Sequence, residues 1–187
     1  MKPQADESIK GRSGHGLIQI FTGDGKGKTT AALGEALRAH GAGQKVGIVF
    51  FDKGGAHYSE RAALDKLGVA VAACGRDRLD PSGRFDFSIT DEDKQEGEKG
   101  LEFAKQMFAQ GFDLVILDEI NSSVDLKIVA LGQVLALLDQ KPDNTELILT
   151  GRHAPQEFLD RAHLVTEMTL QKHYFYSGVK ARAGLDY

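Results

Sequence analysis

Residues 17–32 read L-I-Q-I-F-T-G-D-G-K-G-K-T-T-A-A, and this stretch decides the fold. The apolar run at 17–21 predicts a strand, and residues 31–38 favour a helix. A glycine-rich turn between a strand and a helix, ending in Gly-Lys-Thr, is the context of a phosphate-binding loop, or P-loop. The glycines at 23, 25 and 27 permit backbone conformations that direct successive N–H groups at a polyphosphate, and the N-terminus of the helix adds to the same field.

Two side chains of this loop carry chemistry in the motif. Lys28 supplies a mobile positive charge for the phosphates, and the Thr29 hydroxyl is suited to ligate Mg²⁺. The usual pattern, G-x-x-x-x-G-K-[ST], has a glycine where this chain has Thr22. That variation favours a specialised branch of P-loop proteins over a generic kinase. The alternative, a glycine-rich turn with a chance Lys-Thr pair, is disfavoured by the flanking strand and helix.

Composition limits the remaining function classes. The 187 residues fit one domain, with a flexible segment predicted at 1–14 and a single nucleotide-binding domain at 15–187. A net charge of −4 without a Lys/Arg-rich block disfavours a nucleic-acid partner. The single cysteine, Cys74, excludes an internal disulfide and fits a reducing compartment. The sequence shows no apolar stretch of membrane-spanning length and no apolar signal core at its start, so we expect no membrane partner and a cytoplasmic location.

Beyond the P-loop, strand and helix patterns alternate along the chain. Strands are predicted at 46–51, 69–73, 114–117, 147–149 and near 164–165, and helices at 58–67, 90–110, 126–138 and after Pro155. Thr90 and Asp93 form a capping-box pattern at the start of the second of these helices. Residues 75–89 show no periodicity and are predicted to form a loop. The alternation predicts an α/β fold with a mostly parallel sheet and helices on both faces.

Residues 113–119 read D-L-V-I-L-D-E, an apolar strand that ends in two carboxylates. In P-loop proteins an acid at such a strand end holds Mg²⁺, because this small hard cation prefers oxygen ligands. The Asp118-Glu119 pair is also where an ATPase keeps the base that activates water. The residues alone leave both roles open.

Four motifs in register resemble the ATP:corrinoid adenosyltransferases with a P-loop fold. They are T-G-D-G-K-G-K-T-T-A-A at 22–32, L-D-E-I-N at 117–121, T-G-R-H-A-P at 150–155 and L-V-T-E-M at 164–168, and the C-terminal sequence from Lys172 to Tyr187 also matches. The resemblance covers essentially all of residues 16–187. It implies a RecA-like fold and a reaction in which Co(I) of a reduced corrinoid attacks the 5′ carbon of ATP and expels triphosphate. Such a reaction needs orientation and charge neutralisation rather than an activated Ser, Cys or His.

The resemblance also implies site residues and partners. Thr29 and Glu119 would be the Mg²⁺ ligands, supported by Asp118, and Lys28, Thr29 and Glu119 would carry the catalysis. The nucleotide-binding residues would be Thr22, Gly23, Asp24, Gly25, Lys26, Gly27, Lys28, Thr29, Thr30 and Arg152. The implied partners are ATP, a reduced corrinoid, a flavoprotein reductant and a second copy of the chain in a homodimer whose N-terminal segments cover the corrinoid.

The sequence departs from the family pattern on the corrinoid side. Asp24 stands where the loop usually has Asn, and the interpretation we favour is that it faces solvent. The best-studied branch carries a Phe-Thr-Trp element before the long helix, whereas this chain has no Trp and reads Gly75-Arg-Asp-Arg-Leu79 there, with Phe85 and Phe87 later. Arg76, Arg78 and Arg84 could pair with corrinoid carboxylates, although a solvated loop is the favoured interpretation. Arg152 could contact corrinoid or phosphate, or simply be structural.

The remaining candidate functional residues, one cysteine and three histidines, give weaker evidence of a site. Cys74 is predicted to be a core residue, and His57, His153 and His173 are too dispersed for a zinc site. Two alternatives to the transferase remain at this stage, a P-loop ATPase or regulator and a nucleotide-binding module that has lost catalysis.

Overall fold

Within the described residues, 5–78, 86 and 88–187 of the computed structural model, six parallel strands form one sheet. They are β1 (Ile18–Thr22), β2 (Val46–Phe50), β3 (Ala70–Ala73), β4 (Leu114–Asp118), β5 (Glu146–Thr150) and β6 (Leu164–Glu167). Their order across the sheet is β3-β2-β4-β5-β1-β6. The strand that leads into the P-loop therefore pairs with β5 on one side and with β6 on the other, and β5 separates it from β4.

The helices connect these strands. They are α1 (Lys28–Gly41), α2 (Glu60–Leu67), α3 (Asp91–Ala109), α4 (Ile120–Asp125), α5 (Leu131–Leu138) and α6 (Gln156–Leu159), with 3-10 helices at Glu7–Ile9 and Tyr174–Ser177. The predicted capping box at the start of α3 is present, since Thr90 and Asp93 exchange hydrogen bonds between side chain and backbone. In the described part of the chain, no helix is both long and apolar enough to cross a bilayer.

The core consists of two layers because successive strand residues point to opposite faces of the sheet. Ile48 and Phe50 of β2 pack with α1 and α2 on one face. Val49 and Phe51 pack with α3 and α5 on the other face. The helices thus cover both faces of a parallel sheet, which confirms the predicted α/β fold of RecA-like type.

The helix predicted at 126–138 is wrong over its first third. Helix α4 ends at Asp125, Lys127 adopts a left-handed φ of 59°, and α5 begins only at Leu131. Ile128 and Val129 are buried in the turn between the two helices. Burial of these two apolar side chains against the α3 face of the sheet outweighs the helical preference of the sequence. The 3-10 helix at Glu7–Ile9 lies in the segment predicted to be flexible, and that flexibility remains a prediction.

Candidate active site

The P-loop starts after the last residue of β1, and this explains the missing first glycine. Thr22 still belongs to the strand, where its carbonyl accepts a hydrogen bond from Met168. The loop proper begins at Gly23, whose φ is +92°, and reaches α1 through Gly27, whose φ is +122°. A Cβ at Gly23 would lie 2.6 Å from the Met168 carbonyl oxygen. The chain that follows β6 therefore packs directly against the loop and requires glycine there.

The Lys28 side chain folds back over the loop that precedes it. Its ammonium donates to the carbonyl oxygens of Gly23 at 2.7 Å and Gly25 at 2.8 Å. Burial lowers the pKa of this lysine, an effect that the negative charge of Glu119 opposes. The loop thus holds a positive charge at its centre, and the first turn of α1 adds the positive end of the helix dipole.

The two predicted acids lie at the end of β4, Asp118 as its last residue and Glu119 directly after it, and they have different environments. Asp118 is 1% exposed, and its Oδ1 accepts a hydrogen bond from the Thr150 hydroxyl at 2.6 Å. Glu119 is partly exposed and adopts a left-handed φ of 63°, with its Oε2 held by the Ser122 hydroxyl at 2.7 Å. A non-glycine residue in this conformation is strained, and such strain concentrates at functional sites. Asp118 is thus an internal support, whereas Glu119 faces the open edge of the sheet.

Lys53 is the site residue that the sequence analysis did not assign. Its ammonium lies 2.5 Å from Asp118 Oδ2, 3.0 Å from Thr29 Oγ1 and 3.6 Å from Glu119 Oε1. Burial alone would lower the pKa of Lys53, but the charges of Asp118 and Glu119 more than offset it and leave the pKa raised. The sequence offered two signals for this lysine, its place shortly after the apolar run of β2 and the Lys53-Gly54-Gly55 segment, which resembles a segment of other branches of the family, but neither assigned it a role.

The oxygens around Lys53 fit a magnesium ion. Thr29 at the start of α1 and the adjacent Asp118 and Glu119 at the end of β4 converge on one position that already accommodates a positive charge. Their hydroxyl and carboxylate oxygens are the donors that Mg²⁺ prefers, and Mg²⁺ commonly completes its coordination with water and substrate phosphates. No group of three or more His, Cys, Asp and Glu in the described residues could hold a metal ion by itself. The donor set therefore suits a metal shared with a phosphate rather than an all-protein metal site.

The loop after β5 brings Arg152 to the P-loop. The Nε of Arg152 and the Nε2 of His153 each lie 3.9 Å from Asp24 Oδ1. His153 is fixed in turn by Asp125, whose Oδ2 is 2.8 Å from its Nδ1. Asp24 is exposed, as expected, but it faces these two basic residues across the edge of the site. Arg152 keeps an exposed side chain beside the loop.

Of the predicted nucleotide-binding residues, Lys26 directs its side chain away from this cluster. Lys26 extends towards the C-terminal residues, where its ammonium contacts the Asp186 carboxylate and lies 3.3 Å from the Tyr174 hydroxyl. Thr30 is exposed in the first turn of α1. Lys28, Thr29, Asp118 and Glu119 are thus gathered at the carboxyl edge of the sheet, and Lys26 and Thr30 are not part of that cluster.

The arginines of the loop after β3 belong to an internal network. Arg78 is 9% exposed and bonds Asp52 Oδ1 at 2.6 Å and Asp93 Oδ1 at 3.0 Å. Arg76 bonds the same Asp93 and also Asp86. The expectation that these arginines lie in a solvated loop is therefore wrong for Arg78, whose charge is neutralised by the buried Asp93 and the partly buried Asp52. Leu79, Arg84, Phe85 and Phe87, also named for this loop, lie outside the described residues.

Cys74 is a buried core residue, as predicted, with 1% exposure. Burial raises the pKa of its thiol to about 11. A thiol with so high a pKa carries almost no thiolate near neutral pH and is a poor nucleophile.

Comparison with known proteins identifies the family. A family model described as ATP:corrinoid adenosyltransferase BtuR/CobO/CobP matches residues 14–187. The corrinoid adenosyltransferase of Escherichia coli K12 is 39% identical over 175 residues, covering 92% of this chain and 86% of the relative, and the corrinoid adenosyltransferase CobA of Salmonella typhimurium LT2 gives the same figures. The corrinoid adenosyltransferase of Pseudomonas aeruginosa PAO1 is 32% identical over 188 residues, covering 100% of this chain and 91% of the relative. The chain has a P-loop, two adjacent carboxylates at the same edge of the sheet and this similarity along nearly its whole length. It belongs to the ATP:corrinoid adenosyltransferase family.

Proposed function

We propose that this protein transfers the 5′-deoxyadenosyl group of ATP to the Co(I) of a reduced corrinoid and releases triphosphate. The observation that carries the proposal is the convergence of the P-loop, the Asp118-Glu119 pair and Arg152 at one edge of the sheet. Ligands of open α/β sheets bind at the carboxyl ends of the strands, and each of these groups follows such an end.

The nucleotide-binding role falls to residues 22–30 and to Arg152. Backbone N–H groups of the loop would donate to the triphosphate. The Lys28 ammonium, which here donates to two loop carbonyl oxygens, can donate to the phosphates instead. Thr29 and Glu119 would hold Mg²⁺, with Asp118 as their support. When bound, Mg²⁺ supplies positive charge that stabilises the leaving triphosphate. Lys28 directly, and Thr29 and Glu119 through the Mg²⁺ that they would hold, would lower the barrier by neutralising charge rather than by forming a covalent bond.

The bond-forming step requires no covalent bond between the protein and the substrate. Co(I) donates an electron pair to the 5′ carbon, the bond between that carbon and the triphosphate oxygen breaks, and the triphosphate departs with the electron pair. An in-line attack requires that the loop hold the triphosphate on the side opposite the cobalt. The buried, high-pKa thiol of Cys74 agrees with a reaction in which the substrate is the nucleophile.

The wider setting is part of the same proposal. Residues 15–187 form one nucleotide-binding domain that acts as a homodimer in the cytoplasm, and residues 1–14 form a flexible segment that covers the corrinoid. A flavoprotein delivers the electron that generates Co(I). The single buried cysteine supports a reducing compartment, and the exposed Arg152 side chain supports a contact with corrinoid or phosphate.

Anaerobic incubation with ATP and a chemically reduced corrinoid tests the proposal. The absorption spectrum should change to that of a Co–C-bonded corrinoid, and ATP should be converted to intact triphosphate only when Co(I) is present. Corrinoid-independent release of phosphate would instead support an ATPase, and binding of ATP without either product would support a module that lost catalysis.

The Glu119→Gln variant separates the two catalytic roles of that residue. As a metal ligand, the neutral amide should shift the Mg²⁺ titration of adenosyl transfer to higher concentration, because it binds a hard cation less well. Gln can keep a hydrogen bond to Ser122, so the local structure should survive. An unchanged Mg²⁺ titration combined with trapped, unhydrolysed ATP would assign Glu119 the role of a water-activating base.

A further inference from the structure

The last residues of the chain fold back onto the P-loop through Asp186. Its carboxylate contacts the Lys26 ammonium and the Tyr174 hydroxyl, and its Oδ2 accepts from the backbone N–H of Arg182 at 3.0 Å and from Arg182 Nε at 3.2 Å. The Lys26 ammonium also donates to the Leu185 carbonyl oxygen at 2.5 Å. The Arg182 guanidinium lies over the Tyr174 ring, 4.5 Å from its centroid. One carboxylate is therefore shared by a P-loop lysine and two side chains of the C-terminal region.

Two further contacts hold the last residue, Tyr187, against the segment between β2 and α2. The Ser59 hydroxyl donates to the Tyr187 carbonyl oxygen at 3.3 Å, and the Tyr187 ring meets the His57 ring edge-on with centroids 5.6 Å apart. His57 and Ser59 lie in the connection between β2 and α2. Residues 185–187 thus extend from the P-loop to the segment that follows Lys53.

Charge explains why these contacts belong together. A carboxylate beside a triphosphate would repel it unless cations neutralise the carboxylate, and Lys26 and Arg182 do so here. A lysine engaged in this way adds little to the field on the phosphates. Lys26 is the loop residue between Gly25 and Gly27. The N–H of Gly25 donates to the Met168 carbonyl oxygen at 2.6 Å, and Gly27 directly precedes α1. The contact of Lys26 with Asp186 therefore restrains the loop residue that lies between these two fixed glycines.

We propose that Lys26 and Asp186 form a positioning pair that holds the P-loop in its nucleotide-binding shape, so that the C-terminal residues 185–187 are part of the ATP site. Lys26 contributes its backbone to the loop and its side chain to this anchor. The inference rests on the proposed binding of ATP at the P-loop but not on the transfer step.

The test measures binding of a fluorescent ATP analogue, without corrinoid, to the wild type, Lys26→Met, Asp186→Asn and the double variant. Each single change should weaken binding by about tenfold, since each breaks a charge-assisted hydrogen bond that restrains the loop. The double variant should be no weaker than the single variants, because both remove the same contact. Lys180→Met, which removes an exposed lysine of the same region, should bind like the wild type.

Trypsin cleavage after Arg182 gives a readout that does not depend on affinity. Cleavage should be slow in the wild type and faster in both single variants, at unchanged melting temperature. Additive losses in the double variant, or single variants that bind and resist trypsin like the wild type, would overturn the pairing. A wild type that binds the analogue and shows this coupling but transfers no adenosyl group would refute the proposed function alone.

Discussion

At the scale of single residues, the site depends on charges that are far apart in the sequence. Thr29 and Lys53 follow β1 and β2, Asp118 is the last residue of β4, and Lys53 lies within hydrogen-bond distance of the other two. The sequence identified Thr29 and Asp118 because each belongs to a local motif. Lys53 belongs to no motif with a mechanism, and its contacts depend on the order in which β2, β4 and β1 enter the sheet. The spacing of residues along the chain does not reveal the order of the strands across the sheet, so it could not predict that Lys53 meets Thr29 and Asp118.

Replacing Lys53 with Met should increase the affinity of the nucleotide-free protein for divalent metal. The ammonium occupies the position on which the three oxygens converge, so it opposes a second cation there. Removing it should tighten Mn²⁺ binding by about tenfold, measured by the loss of the free-ion EPR signal. Lys45→Met, an exposed lysine that bonds the Gln110 carbonyl away from the site, is the control.

The Lys53→Met variant should also be less stable, because Asp118 and Glu119 lose their shared cation. Loss of one partner of a buried ion pair costs about 3–5 kcal/mol, and added Mn²⁺ should restore part of it. Unchanged Mn²⁺ affinity in a folded variant would contradict the overlap between the lysine and the metal position.

Lys28→Ala should nearly abolish turnover while leaving the fold intact. The lysine donates to two loop carbonyls, so we expect the melting temperature to change by only about 2–4 °C, equivalent to roughly 1 kcal/mol. Loss of its charge where triphosphate charge develops should lower kcat by on the order of a hundredfold or more. Single-turnover kinetics on the folded variant measure the effect, and kcat near the wild-type value would remove Lys28 from the mechanism.

At the scale of elements, apolar runs predicted the six strands of the described residues, and the central strands β2 and β4 show why, because strands buried on both faces of a parallel sheet need continuous apolar sequence. The helix prediction at 126–138 failed for a related reason. Ile128 and Val129 fit a helical period, but the core takes them as an irregular turn that closes on the Ser123 carbonyl. Which apolar residues belong to a helix and which only to the core is decided by packing, and packing is not local in the sequence.

The contact between the P-loop and the chain after β6 can be tested with matched glycine substitutions. A Cβ at Gly25 would lie 2.7 Å from the carbonyl oxygens of Met168 and Thr169, so Gly25→Ala must shift backbone. We expect a loss of about 1–3 kcal/mol in unfolding free energy, together with weaker ATP binding. Gly34→Ala in α1 meets no atom within 4 Å and should stabilise the protein by about 0.5–1 kcal/mol. Urea unfolding of both variants measures the difference, and equal effects would mean that the loop does not depend on this packing.

At the scale of the whole molecule, the carboxyl edge of the sheet gathers the proposed catalytic groups, and segments near both termini contact the domain. The C-terminal residues meet the P-loop at this edge, whereas Arg12 reaches the turn before β5 by donating to the Asp143 carbonyl oxygen at 3.0 Å. The described residues between 5 and 14 are mostly exposed. These described residues therefore contribute little buried apolar surface to the domain, and the proposed role of the N-terminal segment is to cover the corrinoid.

Deleting residues 1–14 should separate stability from corrinoid binding. Because residues 5–14 are mostly exposed, the shortened protein should unfold in one cooperative transition, with a melting temperature within about 4 °C of the wild type. The KM for ATP should stay constant, since the P-loop and its contacts remain, whereas the KM for the corrinoid should rise. Arg12→Ala, which removes the bond to Asp143 but keeps the segment, should leave both KM values near the wild type. A two-step or strongly destabilised transition would contradict a domain that begins at residue 15, and an unchanged corrinoid KM would contradict the covering role of the segment.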